Sequence, residues 1–420
     1  VKFVHAADLH LDSPLRGLAR YAGAPVEEMR LASRRACENL VGLCIAEQVD
    51  LLLLAGDLYD GDWRDYSTGL YFSAQMSRLR EAGVQVVFVR GNHDAASQIT
   101  RHLRLPDNVY ELSVDSPQTL SFEDLGIAVH GQSFATRAVT ENLARAYPER
   151  ISQLVNVGLL HTSVNGRAGH EPYAPCSLDE LVNKGYDYWA LGHVHAREVL
   201  SEAPWVVFAG NLQARHAREI GEKGATLVSY SASGITHVEH RALDVVRYAT
   251  LRVDLARVAA FDAALESARD AFADLAANVD RTTAVRLILT GESAVHSQLH
   301  ARDAALLENV RAFATDLGAG QLWVEKVLLE TKPLASHGSS QMEDGALGEL
   351  LGYLKQLRSD DAALFQLSSE ELHELRAKLP AELRDGEDGL RLDDPQRLRA
   401  ELDAVEQLLL VRLFGMEAPA

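Results

Sequence analysis

Short apolar runs, several of them rich in β-branched residues, recur at 2–6, 49–55, 84–89, 127–130, 155–160, 188–191 and 206–209. Each has the length of a buried strand. Amphipathic stretches of helical length separate several of them, at 25–47 and 67–82. Strands alternating with helices predict a layered α/β domain. In such domains ligands bind beyond the carboxyl ends of the strands, so the residues just after each apolar run carry the chemical information.

Past Gly234 the pattern changes. A strand at 248–253, an Ala-rich helix at 260–277, a strand at 283–289, a helix at 301–317 and a strand at 321–330 predict a small appended α/β domain. Lys332-Pro333 and the polar run 337–340 mark a linker. From Ala346 onward leucines recur at helical spacing: Leu347, Leu350, Leu351, Leu354 and Leu357, later Leu398, Leu402 and 408–410. Such helices must bury one face, against this chain, against a partner subunit or within a helical domain of their own. There is no long heptad array or tandem repeat. The expected division is a first α/β domain at 1–235, a small α/β capping or DNA-binding domain at 245–332, a linker at 333–345 and a helical C-terminal region at 346–420.

Composition narrows the function classes. A chain of 420 residues exceeds one ordinary domain core, and its hydrophobic (47%) and charged (24%) fractions exclude a mainly disordered chain. No apolar stretch is long enough to span a bilayer, and no basic segment with an apolar core opens the sequence, which makes the cytoplasm the expected compartment. Cys37, Cys44 and Cys176 form no CxxC motif and read as reduced, structural thiols. A net charge of −19 argues against whole-surface attraction to a polyanion. The acidity is uneven, however, with eighteen Asp and Glu against nine Lys and Arg in 340–420.

The apolar runs end in metal-ligand side chains: Asp8 and His10, then Asp57, Asn92 and His93, His161, and finally His193 and His195. In an extended exit from a strand, Asp8 and His10 point the same way and can reach one ion, although DxH alone also fits a turn and a surface histidine. Asp57 follows Gly56, which permits a tight turn, and a carboxylate can bridge two cations. In Gly91-Asn92-His93-Asp94 the Asn oxygen suits a hard cation, His93 can face the opening, and Asp94 can hold that imidazole's other nitrogen. His161 alone fits a core histidine equally well, and the two imidazoles of His193 and His195 share one side of an extended segment. Together, five strand-terminal sets predict a centre for two divalent ions. The Asp, Asn and His inventory disfavours structural zinc and suits Mn2+ or Fe2+, with Mg2+, Zn2+ or Co2+ as substitutes.

The order DxH, GD, GNHD, H, GHxH resembles that of the calcineurin-like metallophosphoesterases, and with its DLHLD opening it is similar to the SbcD-like DNA repair nucleases. The stretches 173–175, 186–193 and 210–224 look more narrowly like the YhaO-like branch. The resemblance implies an αββα sandwich, with one ion held by Asp8, His10, Asp57 and His195 and a second by Asp57, Asn92, His161 and His193. His93 is then left near the leaving group as the general acid, oriented by Asp94. One departure touches the site: Asp60 stands where archaeal and eukaryotic relatives carry a histidine, either as an outer carboxylate or as a turn residue. The resemblance also implies a manganese-dependent 3'-to-5' exonuclease with single-strand endonuclease activity, a homodimer, and an SbcC-like or YhaN-like SMC-type ATPase as partner.

Residue chemistry alone says phosphoester. It leaves open a phosphoprotein or small-nucleotide phosphatase, or a DNA-end clamp for the ATPase. Arg90, Arg101, Arg104, Arg137, Arg215 and Arg218 are candidate phosphate contacts, although surface arginines more usually are solvated or form ion pairs.

Overall fold

The computed structural model describes residues 1–13, 26–60, 66–96, 104–165, 172–334 and 346–378, with 394–396, 398, 399, 402 and 405. The expected linker from 335 onward, the leucines at 408–410 and Arg101 lie outside them. Two compact units emerge. One comprises Val1–Thr250, Leu275–Arg286 and Ala314–Lys326, the other Leu251–Asp274, Leu287–Phe313 and Val327–Ala420.

The chain runs through β1 (Lys2–Ala6), α1 (Val26–Ala46), β2 (Leu51–Leu54), α2 (Tyr66–Glu81), β3 (Gln85–Phe88), α3 (Asn92–Ala96), β4 (Val109–Glu111) and β5 (Gln118–Phe122). Next come β6 (Ile127–Gly131), β7 (Val155–His161), α4 (Leu178–Asn183), β8 (Tyr188–Gly192), β9 (Glu198–Glu202), β10 (Trp205–Phe208), β11 (Gly224–Ser231) and β12 (Gly234–Ala242). They build two six-stranded sheets, ordered β12-β11-β1-β2-β3-β4 and β5-β6-β7-β8-β10-β9. Within each, four adjacent strands are parallel, β1 to β4 in one and β6, β7, β8 and β10 in the other. Parallel pairing brings their carboxyl ends to one edge, where the ligand sets stand.

The period-two alternation of strands explains the layers. Leu51 and Leu53 pack with Val157, Leu159, Tyr188 and Ala190 between the sheets, whereas Leu52 and Leu54 pack outward with Leu40, Cys44, Phe72 and Met76 of α1 and α2. On the other side Trp189, Leu191, Val206 and Phe208 pack with Leu181 of α4. The expected αββα sandwich is thus present. The three cysteines are buried free thiols.

Strands β4, β5, β9, β11 and β12 were not legible as apolar runs. Four of them are half-exposed, so their apolar positions are interrupted. In β11, which pairs antiparallel with β1, Ala225 and Leu227 serve one core while Val228 and Tyr230 serve the other.

The later elements are β13 (Val246–Asp254), α5 (Phe261–Ala276), β14 (Thr282–Ser293), α6 (His296–Ala301), α7 (Asp303–Leu317) and β15 (Leu322–Pro333), with sheet order β13-β14-β15. The helix expected at 301–317 is broken near its start, between α6 and α7. Helices α8 (Ala346–Ser359), α9 (Asp361–Glu371) and α10 (His373–Lys378) complete the described elements. Leu354, Leu357 and Leu364 cluster with Leu398 and Leu402, so part of the leucine face is covered by the tail itself. Among the described residues no helix is long and apolar enough to cross a membrane.

Candidate metal centre

Backbone conformation already marks the crest. Asp8, His10, Asp57 and His193 have φ of 49°, 41°, 53° and 99°, values that cost a non-glycine residue energy and persist only where neighbours hold them. Hydrogen bonds do so here. Asp8 N donates to Gly56 O and His10 N to Asp57 O, both at 3.0 Å, while His193 N donates to the two Asp8 oxygens at 3.2 and 3.0 Å. Gly91 allows a close approach: a Cβ there would lie 2.3 Å from Asp57 Oδ1 and 2.8 Å from His161 Cε1.

The seven residues implied as ligands converge, and all but half-buried His195 are buried. Asp57 Oδ2 lies between two imidazoles, 3.5 Å from His161 Nε2 and 3.9 Å from His10 Nε2. His10 Nε2 and His195 Nε2 are 3.2 Å apart, and His161 Nε2 is 2.9 Å from Asn92 Oδ1. The His193 ring stands 5.1 Å from that of His161, centroid to centroid. Donor atoms of Asp8, His10 and His195 lie within 4.8 Å of one another, as do those of Asp8, Asp57 and His161.

This donor set fits cations. With its Nδ1 hydrogen given to Ala55 O at 2.9 Å, His161 turns a lone pair at Nε2 toward the Asn92 and Asp57 oxygens. Three electron-rich atoms then face one another, an arrangement that a positive ion relieves. The electrostatics agree. Burial and the Asp57 charge push Asp8 well above the usual carboxylate range. Asp57, although burial works against it, is drawn down to about 2 by whatever positive charge His161, His10 and His93 carry and by the hydrogen bond from His93 N. Burial, with Arg215 nearby, holds His10 down to about 3, in its neutral ligand form. Buried carboxylates beside neutral imidazoles are the surroundings a divalent ion stabilises.

His93 sits beside this set, its ring edge-on to His10 with centroids 4.9 Å apart and its backbone N donating to Asp57 Oδ1 at 2.9 Å. The carboxylate that meets its imidazole is not the expected one. Asp60 Oδ1 lies 2.9 Å from His93 Nδ1, and Asp60 Oδ2 accepts from Ser13 Oγ at 2.8 Å and Arg215 Nη2 at 3.3 Å. Burial opposes a charge on His93, but Asp60 and Asp57 hold its pKa above the ordinary value. Asp94 instead accepts from the backbone N–H groups of Leu58, Tyr59 and Gly91 at 2.9, 3.0 and 3.1 Å, lacing two strand-end loops together. Consecutive residues at the start of α3 do not face each other, which is why adjacency in sequence misdirects here. Asp60 is therefore tied to His93, Ser13 and Arg215 and is no ordinary turn residue. Of the candidate arginines, Arg90 pairs with Glu111 at 2.5 Å and Arg215 with Asp60.

One participant had no signal beyond its place in the 210–224 stretch. Buried Glu219 accepts from His195 Nδ1 at 2.6 Å. Burial works against its charge, yet the hydrogen bond from His195 and the nearby imidazoles hold its carboxyl well below the usual range.

Comparison with known proteins leads the same way. The chain matches the calcineurin-like phosphoesterase family over residues 1–197 and the middle domain of metallophosphoesterase YhaO over residues 248–332. It is 36% identical over 293 residues to the uncharacterized metallophosphoesterase YhaO of Bacillus subtilis, spanning 69% of this chain and 71% of that one. More distant are the DNA double-strand break repair proteins Mre11 of Sulfurisphaera tokodaii, 27% identical over 46% of this chain and 52% of its own length, and of Methanopyrus kandleri, 30% identical over 46% and 44%. The strand-end ligand edge and the YhaO likeness, which extends over most of both chains, support one conclusion: this chain belongs to the calcineurin-like metallophosphoesterases, within the YhaO family.

Proposed function

We propose that this chain is a two-metal phosphodiesterase acting on DNA, with Mn2+ as its working ion and with 3'-to-5' exonuclease and single-strand endonuclease activity. The observation that carries the two-ion reading is the position of Asp57 Oδ2 between His161 and His10. In this reading Asp8, His10, Asp57 and His195 hold one ion, and Asp57, Asn92, His161 and His193 the other. Bound there, the ions supply a nucleophile at neutral pH and neutralise the phosphoryl oxygens.

The chain's own residues handle the leaving group. An alkoxide departs poorly unless it receives a proton, and His93 is the group beside the ligand set that can deliver one. With Nδ1 engaged by Asp60, the proton leaves from Nε2. Asp60 aims the ring and balances its charge, and Ser13 and Arg215 hold Asp60 in turn. The choice of DNA draws support from the relatives named for double-strand break repair. A homodimer and an SMC-type ATPase partner belong to the same reading.

The test is hydrolysis of labelled single-stranded and duplex DNA with each divalent ion, beside turnover of a phosphopeptide and a cyclic nucleotide. Degradation of DNA with Mn2+ is expected, whereas turnover of the small esters alone would replace DNA as substrate. His93→Ala should keep both ions and lose about 10²–10⁴-fold on an unactivated diester. Its loss on a nitrophenyl ester, whose leaving group needs no proton, should be much smaller. Equal losses on both substrates would remove the acid role.

A further inference from the structure

We infer that Glu219 is a positioning residue for the metal centre: it fixes His195 so that the ring presents Nε2, and not Nδ1, to a cation. This role rests on the two-ion reading. His195 Nδ1 lies 2.6 Å from Glu219 Oε1. An ionised carboxylate only accepts hydrogen bonds, so Nδ1 carries the hydrogen, and the neutral ring that binds a cation then keeps its lone pair at Nε2. That lone pair is aimed at the crest, where His10 Nε2 lies 3.2 Å away.

Glu219 is itself held from several directions. Its Oε2 accepts from Asn211 Nδ2 at 2.8 Å and from Arg215 N at 2.6 Å. Asn211 bridges in parallel to Ala7, the residue before Asp8, and its N donates to His195 O at 3.1 Å. Lys223 Nζ donates to the same carbonyl at 3.1 Å. Gly210, at φ 77°, is what lets the chain turn into this segment, since a Cβ there would lie 2.8 Å from Arg197 N. Both oxygens of a buried carboxylate are thus committed, and Oε1 gives its one short hydrogen bond to His195 Nδ1, with His216 Nε2 farther off at 3.6 Å. Arg215, which donates its N–H to Glu219, also reaches Asp60 with its guanidinium. The 211–219 segment therefore supports a ligand of one ion and the carboxylate behind His93 together. Outer-layer partners of metal-binding histidines orient the ring and raise its basicity, and their loss typically costs 10–100-fold in affinity.

The experiment is calorimetric titration of the metal-stripped full chain with Mn2+, paired with visible spectra of the Co2+-loaded chain. Wild type should take two ions. Glu219→Ala should weaken one of them by about 10–100-fold and leave the other near its wild-type affinity. Glu219→Gln keeps an acceptor oxygen without the charge, and should fall between wild type and Glu219→Ala with a shifted Co2+ spectrum. In a His195→Ala background, Glu219→Ala should cost nothing further. Wild-type affinity for both ions in Glu219→Ala, or a further loss in the double variant, would overturn the role. Should Glu219→Ala fail to fold, Glu219→Gln decides, because wild-type affinities with an unchanged spectrum there reject it. Fewer than two ions in the wild type would instead reject the two-ion reading on which this role stands.

Discussion

His161 and His195 reach the same crest, but they are held by different means. His161 ends β7, and its Nδ1 is tied at 2.9 Å to the main-chain carbonyl of Ala55, the residue after β2. His195 lies beyond the end of β8, and its Nδ1 is tied at 2.6 Å to a carboxylate 24 residues further along the chain. The first support is neutral and is built by the sheet ends. The second carries charge and depends on how one loop is packed. One half of the centre should therefore fail when the sheet backbone is disturbed, the other when a distant side chain is lost.

In the proposed two-ion reading Asp57 belongs to both halves, so its removal should erase the difference and give the largest effect. Asp57→Ala is expected to reduce tightly bound Mn2+ from two ions to at most one, measured by calorimetry and elemental analysis. Hydrolysis should fall by more than the ~10²-fold that loss of one electrostatic stabiliser typically costs. Two ions retained at wild-type affinity would show that the halves do not share this carboxylate.

The His161 half can be broken through its backbone. Gly192 pairs with His161 across β7 and β8, and a Cβ at Gly192 would lie 2.0 Å from Ala55 O, the carbonyl that holds His161. Neither group can move without moving a strand. Gly192→Ala should cost about 1–3 kcal/mol, the usual range for overpacking, read as a lower urea midpoint in the metal-free chain. It should also weaken the ion beside His161 more than the ion beside His195, the reverse of Glu219→Ala. An unchanged midpoint with both ions equally bound would mean that this support is soft, and the contrast would be lost.

The same difference decides what the sequence disclosed. Asp8, His10, Asp57, Asn92, His161, His193 and His195 stand directly after apolar runs, so the rule that α/β sites open at strand ends was enough to collect them. The hydrogen bond from His161 to Ala55 joins one strand end to another and comes with that architecture. Asp60 and Glu219 obey no local rule. Asp60 meets His93 only because the ends of β2 and β3 lie side by side, and Glu219 meets His195 only because the 211–219 segment folds back over the crest. Asp94 shows the converse, adjacent to His93 in sequence yet hydrogen-bonded to the backbone of neighbouring loops. The same limit applies to the sheets, whose interior parallel strands read clearly while half-exposed edges such as β9 and β12 did not.

The smallest expected effect separates ligand orientation from stability at large. Glu180, like Glu219, is a carboxylate with several donors, but its work is done at the start of α4. Ser177 Oγ accepts from Glu180 N at 3.1 Å while Glu180 Oε2 accepts from Ser177 N at 2.9 Å. Ser177→Ala removes half of this reciprocal cap, and should cost about 1 kcal/mol of stability. None of these atoms touches a residue of the crest, so both Mn2+ affinities should stay at wild-type values while the urea midpoint falls. If they weaken in step with the midpoint, the losses expected for Glu219→Ala and Gly192→Ala would reflect a destabilised fold, and the division into a backbone-held and a carboxylate-held half would have no basis. If they hold, a metal-specific loss in either of those variants is attributable to the histidine that its support orients.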